Sequence, residues 1–365
     1  MNDASPPQPP QPPEPPPPRS PSASGELAAG DTRVQAVDVV VIGAGPAGEV
    51  AAGRCAEHGL SVVVVERELV GGECSYWGCI PSKALLRPGD VIAAPRRVPG
   101  AEAAVSGAPD VNGALVWRDD LTGGWDDAGQ VPWLTSHGID LVRGHARLDG
   151  DRRVVVAMAG GTTRTLVARR AVVVATGSRA ALPPVPGLAD SKPWDNRDVT
   201  AMAKVPRRLL VVGGGAVGPE MAQAVKRLGA ESVSVIEAAG SLLVREEPFA
   251  GEQVRAALEA EGIVVAVSTR LRSESRAALD GPATLQAENG RSFTGDEVLV
   301  AASRAPPPAI SAWTRSGSLQ GASSRSTISC GRPASAATGC TPSATATASR
   351  CSRTWASTRR GSPPT

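Results

Sequence analysis

Aromatic side chains are scarce: the 365 residues hold one tyrosine, two phenylalanines and seven tryptophans. That little stacking surface argues against a protein built to thread single-stranded nucleic acid over aromatic platforms. A dominant charge is missing too, because 38 Lys and Arg offset 36 Asp and Glu, for a formal net charge of +2. No general attraction to nucleic acid or to acidic membranes follows. No apolar run approaches the length of a membrane span, and the N-terminus lacks the charged-then-apolar pattern of a signal peptide. A cytoplasmic protein is the expectation. Ligand-type residues are few as well. Of three histidines none follows His145, and before Cys330 only one close cysteine pair occurs, Cys74 and Cys79. A structural zinc usually takes two such pairs, so no metal site is assigned.

What is present is unevenly placed. Residues 1–34 are proline-rich, read as an extended segment unable to bury enough apolar surface to fold. From Val37 the chain reads VDVVVIGAGPAGEVAAGRCAEHGLSVVVVER, two apolar runs around a glycine turn and an alanine-rich helical stretch. Apolar runs of this kind suit strands buried on both faces of a parallel sheet. Gly43, Gly45 and Gly48 form G-x-G-x-x-G with Pro46 and Ala47 between them. The first allows the tight turn, the second lets backbone approach a pyrophosphate, and the third lets helix and strand pack closely. The helix N-terminus would face the phosphates. Glu66 ends the second run, where a carboxylate can accept from ribose hydroxyls.

A second unit repeats the pattern over RRLLVVGGGAVGPEMAQAVKRLGAESVSVIEAAG. Gly213, Gly215 and Gly218 make its turn, Ala216 and Val217 open its helix, and Glu237 ends its second strand. Two such units argue for two dinucleotides. An acid at Glu237 favours a free 2′-hydroxyl and repels a 2′-phosphate, so NAD is expected rather than NADP.

Between the units lies GGECSYWGCIPSK, residues 71–83. In a reducing compartment a stable structural disulfide is not expected, so a close pair leans catalytic. Placed at a helix start beside a cofactor, a thiol is biased toward the thiolate that exchange needs. The VVIGAGPAG turn, the acid at Glu66 and the GGxCxxxxGCIPSKALL block together resemble the pyridine nucleotide-disulfide oxidoreductases, in the branch of dihydrolipoamide dehydrogenase, mercuric reductase and glutathione reductase. The resemblance implies an α/β fold of two Rossmann-like domains, FAD-binding over 35–195 and NAD-binding over 196–300. It implies that Cys74 exchanges with a small-molecule or protein-bound disulfide or dithiol, and that Cys79 lies against the flavin. Lys83 would sit near the reactive edge of the flavin, paired with Glu220. Gly72, the backbone around Ala146, and Thr176, Gly177 and Ser178 would lie against FAD. Ser-Tyr-Trp follows Cys74 where dihydrolipoamide dehydrogenases commonly carry Leu-Asn-Val, so Tyr76 and Trp77 are expected to crowd the approach to the disulfide. Trp117, Trp125 and Trp133 read as packing residues, and His137 and His145 as structural.

After Val300 the texture changes. From Arg304 onward there is no Asp, Glu or Lys but there are eight arginines, a composition that predicts disorder. The resemblance implies an A-T-G-R-R-P turn, a second flavin contact ending in Gly-Asp, and an interface domain giving a His-Glu pair to the partner of a homodimer. The turn is blurred at Ala301-Ala302-Ser303 and the other two are not found, so 301–365 reads as an out-of-frame or degenerate end. The alternative to an active enzyme is accordingly an impaired remnant that keeps its dinucleotide-binding folds.

Overall fold

A computed structural model describes residues 34–278 and 281–306, and the backbone of 328–330. The proline-rich segment before Val34 and most of residues 301–365, expected to be an out-of-frame or degenerate end, lie outside the described residues.

The first unit opens with β1 (Val34–Ile42), α1 (Pro46–Glu57) and β2 (Val62–Glu66). Helices α2 (Gly72–Tyr76) and α3 (Cys79–Arg96) carry the cysteine pair, and α4 (Val111–Leu121) and α5 (Val131–Ser136) follow. Strands β3 (Ile139–Arg143), β4 (His145–Leu148), β5 (Arg153–Ala157) and β6 (Thr163–Val174) complete the sheet in the order β3-β2-β1-β6-β5-β4. Pairing is parallel from β3 to β6 and antiparallel from β6 to β4. Val39 and Val41 pack with Ala52 of α1 and Leu134 of α5, while Val40 and Ile42 pack on the opposite face with Val154 and Val156. Successive side chains of a strand alternate between faces, and here both faces are covered, which is why the sequence shows an unbroken valine run. Residues 171–174, at the end of β6, are half-buried; they lie beyond the stretch 163–167 that β5 flanks.

The second unit begins after β7 (Arg179–Ala181) and α6 (Asn196–Thr200). Strands β8 (Arg208–Val212), β9 (Ser232–Ile236), β10 (Val264–Ala266) and, later, β14 (Glu297–Val300) form a parallel sheet in the order β10-β9-β8-β14. Helices α7 (Val217–Arg227) and α8 (Pro248–Ala260) connect β8 to β9 and β9 to β10. An antiparallel meander of β11 (Leu271–Arg276), β12 (Ala283–Ala287) and β13 (Ser292–Gly295) covers one face, placing Leu285 and Phe293 on Leu210 and Val212.

The opposite face of that sheet meets the first unit. Leu85 of α3 and Leu115 of α4 share one apolar core with Val211, Met221, Val225 and Leu299. Helices α3 and α7 are also tied by two ion pairs seven residues apart on each, Lys83 with Glu220 and Asp90 with Arg227. A seven-residue step is two helical turns, so one face of each helix carries both contacts.

Pairing continues past Val300, where the composition breaks. Here β15 (Ser303–Ala305) pairs antiparallel with β7, and the backbone of β16 (Ile328–Cys330) runs antiparallel along residues 171–173 of β6. Among the described residues no helix is long and apolar enough to cross a membrane.

Candidate active site

The two glycine turns are built alike. Gly43 has a φ of +101°, and a Cβ there would lie 2.5 Å from the carbonyl oxygen of Ala175. Gly213 has a φ of +116°, and its Cβ would lie 2.7 Å from backbone atoms of Ala301 and Ala302. In each unit the first glycine lets the segment leaving the last parallel strand cross directly over the turn, next to Thr176 in the first unit. In each unit the third glycine packs on the first: a Cβ at Gly48 or Gly218 would collide with the carbonyl oxygen of Gly43 or Gly213. The acids match as well. Glu66 accepts from the amides of Ala44 (2.7 Å) and Glu68 (2.8 Å). Glu237 accepts from those of Gly214 (2.5 Å) and Ala239 (2.7 Å). A carboxylate offers about four acceptor positions, so each acid keeps capacity for ribose hydroxyls.

The turns also fit diphosphates. Pro46 starts α1 behind Gly45, and Val217 starts α7 behind Ala216, with no side-chain cap at either N-terminus. The first-turn amides are therefore left to a ligand. A Cβ on Gly215 would touch nothing within 4 Å, so the need for glycine there comes from open space rather than packing. At the first turn the space is shared with the cysteine-bearing loop: a Cβ on Gly72 would lie 2.8 Å from Gly45 Cα. Ala47 is exposed and Gly177, at a φ of +67°, faces open space. Ala146 lies on β4, which starts just after Gly144 donates its amide to the Glu66 carbonyl at 2.9 Å.

Glu49, in the first turn of α1, is half-buried. Burial, and then the neighbouring Glu66 charge, push its carboxyl up to about 7.

Cys79 is the first residue of α3, and Cys74 sits in α2. The pair is present as a dithiol in hydrogen-bond contact. That bond from Cys74 is the largest influence on Cys79, whose thiol is lowered to about 6. Burial opposes the shift, Lys83 and the backbone amide at the helix start reinforce it, and Glu220 works against it. Lys83 Nζ lies 2.5 Å from Glu220 Oε1. The packing of α3 on α7 thus brings Cys74, Cys79, Lys83 and Glu220 together at the seam between the units.

The aromatic expectations need correction. Tyr76 is buried, with its hydroxyl donating to the Asp126 carbonyl and accepting from Gln130, so it cannot crowd an approach. Its ring anchors α2 because the body is apolar and its hydroxyl finds partners. Trp117 is 40% exposed on α4, against the packing reading, whereas Trp133, equally exposed at its rim, does pack, its ring lying against Gly53 of α1 and 4.5 Å from the His137 ring. Trp77 and Trp125 line an open cavity of about 650 Å³ with Glu68, Leu69, Arg197 and Ala201.

A polar network beside this cavity carried no motif to reveal it. Glu73, next to Cys74, accepts from Arg197 Nε (2.6 Å) and Asn196 Nδ2 (2.8 Å). The Arg197 guanidinium lies 3.9 Å from the centroid of Trp77 and also reaches Glu68 at 2.8 Å. Arg304, in the stretch expected to be aberrant, donates to Asn196 Oδ1 (3.0 Å) and Ser178 Oγ (2.8 Å). The one available signal was its place directly after Ala301-Ala302-Ser303.

The pyridine nucleotide-disulphide oxidoreductase family matches residues 37–320. A mercuric reductase of Acidithiobacillus ferrooxidans is 35% identical over 275 residues, covering 74% of this chain and 49% of that protein. A dihydrolipoyl dehydrogenase of Haloferax volcanii is 34% identical over 279 residues, covering 74% and 57%. The chain spans about half the length of the curated relatives it matches. Among solved structures, the HOCl-induced flavoprotein disulfide reductase RclA from Escherichia coli superposes with a TM-score of 0.62 at 22% identity, covering 75% of this chain and 58% of that one, a likeness of fold. The chain belongs to the pyridine nucleotide-disulphide oxidoreductase family.

Proposed function

We propose that the protein is an FAD-dependent, NAD-linked disulfide oxidoreductase acting through Cys74 and Cys79 on a small-molecule or protein-bound disulfide. The observation that carries this reading is the meeting of Cys79, at the start of α3, with Lys83 and Glu220 where the two dinucleotide-type units join. In this reading the turn at residues 43–48, Gly72, Glu66, Ala146, Lys83 and residues 176–178 hold FAD. The turn at 213–218 and Glu237 hold the nicotinamide nucleotide. Flavin and nicotinamide supply the hydride chemistry, while the chain supplies orientation and redox poise.

The chain's own step is thiol–disulfide exchange. The Cys74 thiolate attacks one sulfur of the substrate, a mixed disulfide forms, and the other substrate sulfur leaves as a thiolate that takes up a proton. The Cys79 thiolate then attacks Cys74, closing the Cys74–Cys79 disulfide and releasing the second thiol; two electrons have passed to the substrate. Lys83 favours the Cys79 thiolate, and Glu220 holds the Lys83 ammonium in place. NAD is preferred over NADP because the Glu237 carboxylate disfavours a 2′-phosphate. A homodimer is part of the proposal. Because no histidine follows His145, the base expected from the family's interface domain is not among these 365 residues. An impaired remnant is therefore the second reading.

Purified protein loaded with FAD and titrated anaerobically separates the two. The enzyme reading expects NADH to bleach the flavin absorbance faster than NADPH, and the Cys79→Ser variant to take up about half the electrons of the parent, since only flavin then accepts them. Protein that holds no flavin, or a variant with unchanged electron uptake, refutes it.

A further inference from the structure

We propose that Glu73 is a positioning residue for thiol exchange, fixing the seat of Cys74 by gripping Asn196, Arg197 and Arg304. The inference rests on the exchange reading above and deepens it.

Helix α2 is five residues long, with no side-chain cap, and it begins on Gly71 and Gly72, both at positive φ. A single turn cannot sustain itself, because nucleation fixes several dihedrals for one hydrogen bond. Its orientation therefore comes from its neighbours. Tyr76 anchors one side by burial. The other side is held through Glu73 and Trp77, one helical turn apart. Asn196 Nδ2 bonds both Glu73 Oε2 (2.8 Å) and the Trp77 carbonyl (3.0 Å). Arg197 bonds Glu73 Oε1 while its guanidinium covers the Trp77 ring. Arg304 NH2 lies 3.5 Å from Glu73 Oε2, and its NH1 bonds the Asn196 amide oxygen from behind.

The partners come from three separate places in the chain. Ser178 follows β6 on the way out of the first unit, Asn196 and Arg197 start α6 just before the second, and Arg304 follows its last parallel strand. Both passages between the units thus converge on the residue before Cys74. The sulfur of Cys74 must reach Cys79, and that bond is the main support of the Cys79 thiolate. The groups facing Cys79 are Cys74 from α2, Lys83 from its own helix and Glu220 from α7. Of these only Cys74 rides on an element too short to hold itself. Releasing Glu73 should therefore be read at Cys79.

The test uses full-length protein, reduced and desalted, with iodoacetamide labelling of the two cysteine peptides followed by mass spectrometry across pH. In the parent, Cys79 should label with a midpoint near pH 6. In Glu73→Ala the midpoint should rise by about one unit or more, with Cys74 labelling several-fold faster as its seat loosens. Glu73→Gln keeps an acceptor for Asn196 and should restore part of the shift. Arg197→Met, which removes the partner from the opposite element, should reproduce the Glu73→Ala profile and covers the case in which that variant does not fold. A parent midpoint near 6 with unchanged midpoints in the folded variants overturns the positioning role and leaves the exchange reading standing. A parent whose two cysteines both titrate near the ordinary thiol value of 9 overturns the activated pair itself, and this inference with it.

Discussion

A thiol at the first position of a helix meets amides that have no partner in the helix, and these favour its thiolate. At Cys79 that backbone contribution ranks below both the Cys74 hydrogen bond and the Lys83 charge, so side chains brought by neighbouring turns set the reactivity. Replacing Lys83 with Met should raise the labelling midpoint of Cys79 from about 6 by about half a unit, a modest step because the lysine is largely exposed and screened; an unmoved midpoint would remove Lys83 from the account. Glu49 gives the opposite case. Its carboxyl ionises at about 7 folded against 4.5 in the reference state, so between those values the native state binds more protons than the unfolded one. Stability should fall as pH rises through this window and level off above it. After allowing for partial exposure the loss is of the order of 1 kcal/mol. Urea unfolding of parent and Glu49→Gln at about pH 5 and about pH 8 should show the parent losing about 1 kcal/mol more than the variant between the two, since every other titrating group is common to both.

The two glycine turns look interchangeable in sequence but differ position by position in what requires glycine. Gly43→Ala must accommodate both a φ of +101° and a collision with Ala175, and should cost about 2–4 kcal/mol in chemical unfolding. Gly215→Ala meets nothing and should leave stability within about 0.5 kcal/mol while weakening NADH binding about tenfold, measured by calorimetry. Loss of stability in the second variant would show that Gly215 serves packing. A helix starting at the cysteine pair is expected from its place after a dinucleotide-type unit, and the strands are readable from their valine runs. The buried Tyr76 was not, because a short segment gives no periodicity from which to tell its inner face from its outer one.

At the scale of the molecule the seam between the units carries the site. Leu85 is fully buried in a core to which both units contribute, although it belongs to the helix that starts at Cys79. Leu85→Ala should therefore cost about 2–5 kcal/mol and lower a single shared unfolding transition, since this one core is built from side chains of both units. Two resolved transitions in calorimetry, with only one shifted, would show instead that the units fold separately. The network from Ser178 through Asn196 and Arg197 to Arg304 holds the same seam from its polar side.

Local chemistry determined much of this protein before any coordinates. The third glycine of each turn packs on the first, and Glu66 and Glu237 accept from Ala44 and Gly214, all within a few dozen residues, so the chain spells these pairings out. The Lys83–Glu220 contact joins residues 137 apart, and only the resemblance to a family suggested it. Tertiary structure alone decided the grip of Asn196, Arg197 and Arg304 on Glu73. Those partners carry no spacing relative to one another, and they meet because two apolar faces, one from each unit, must be buried against each other.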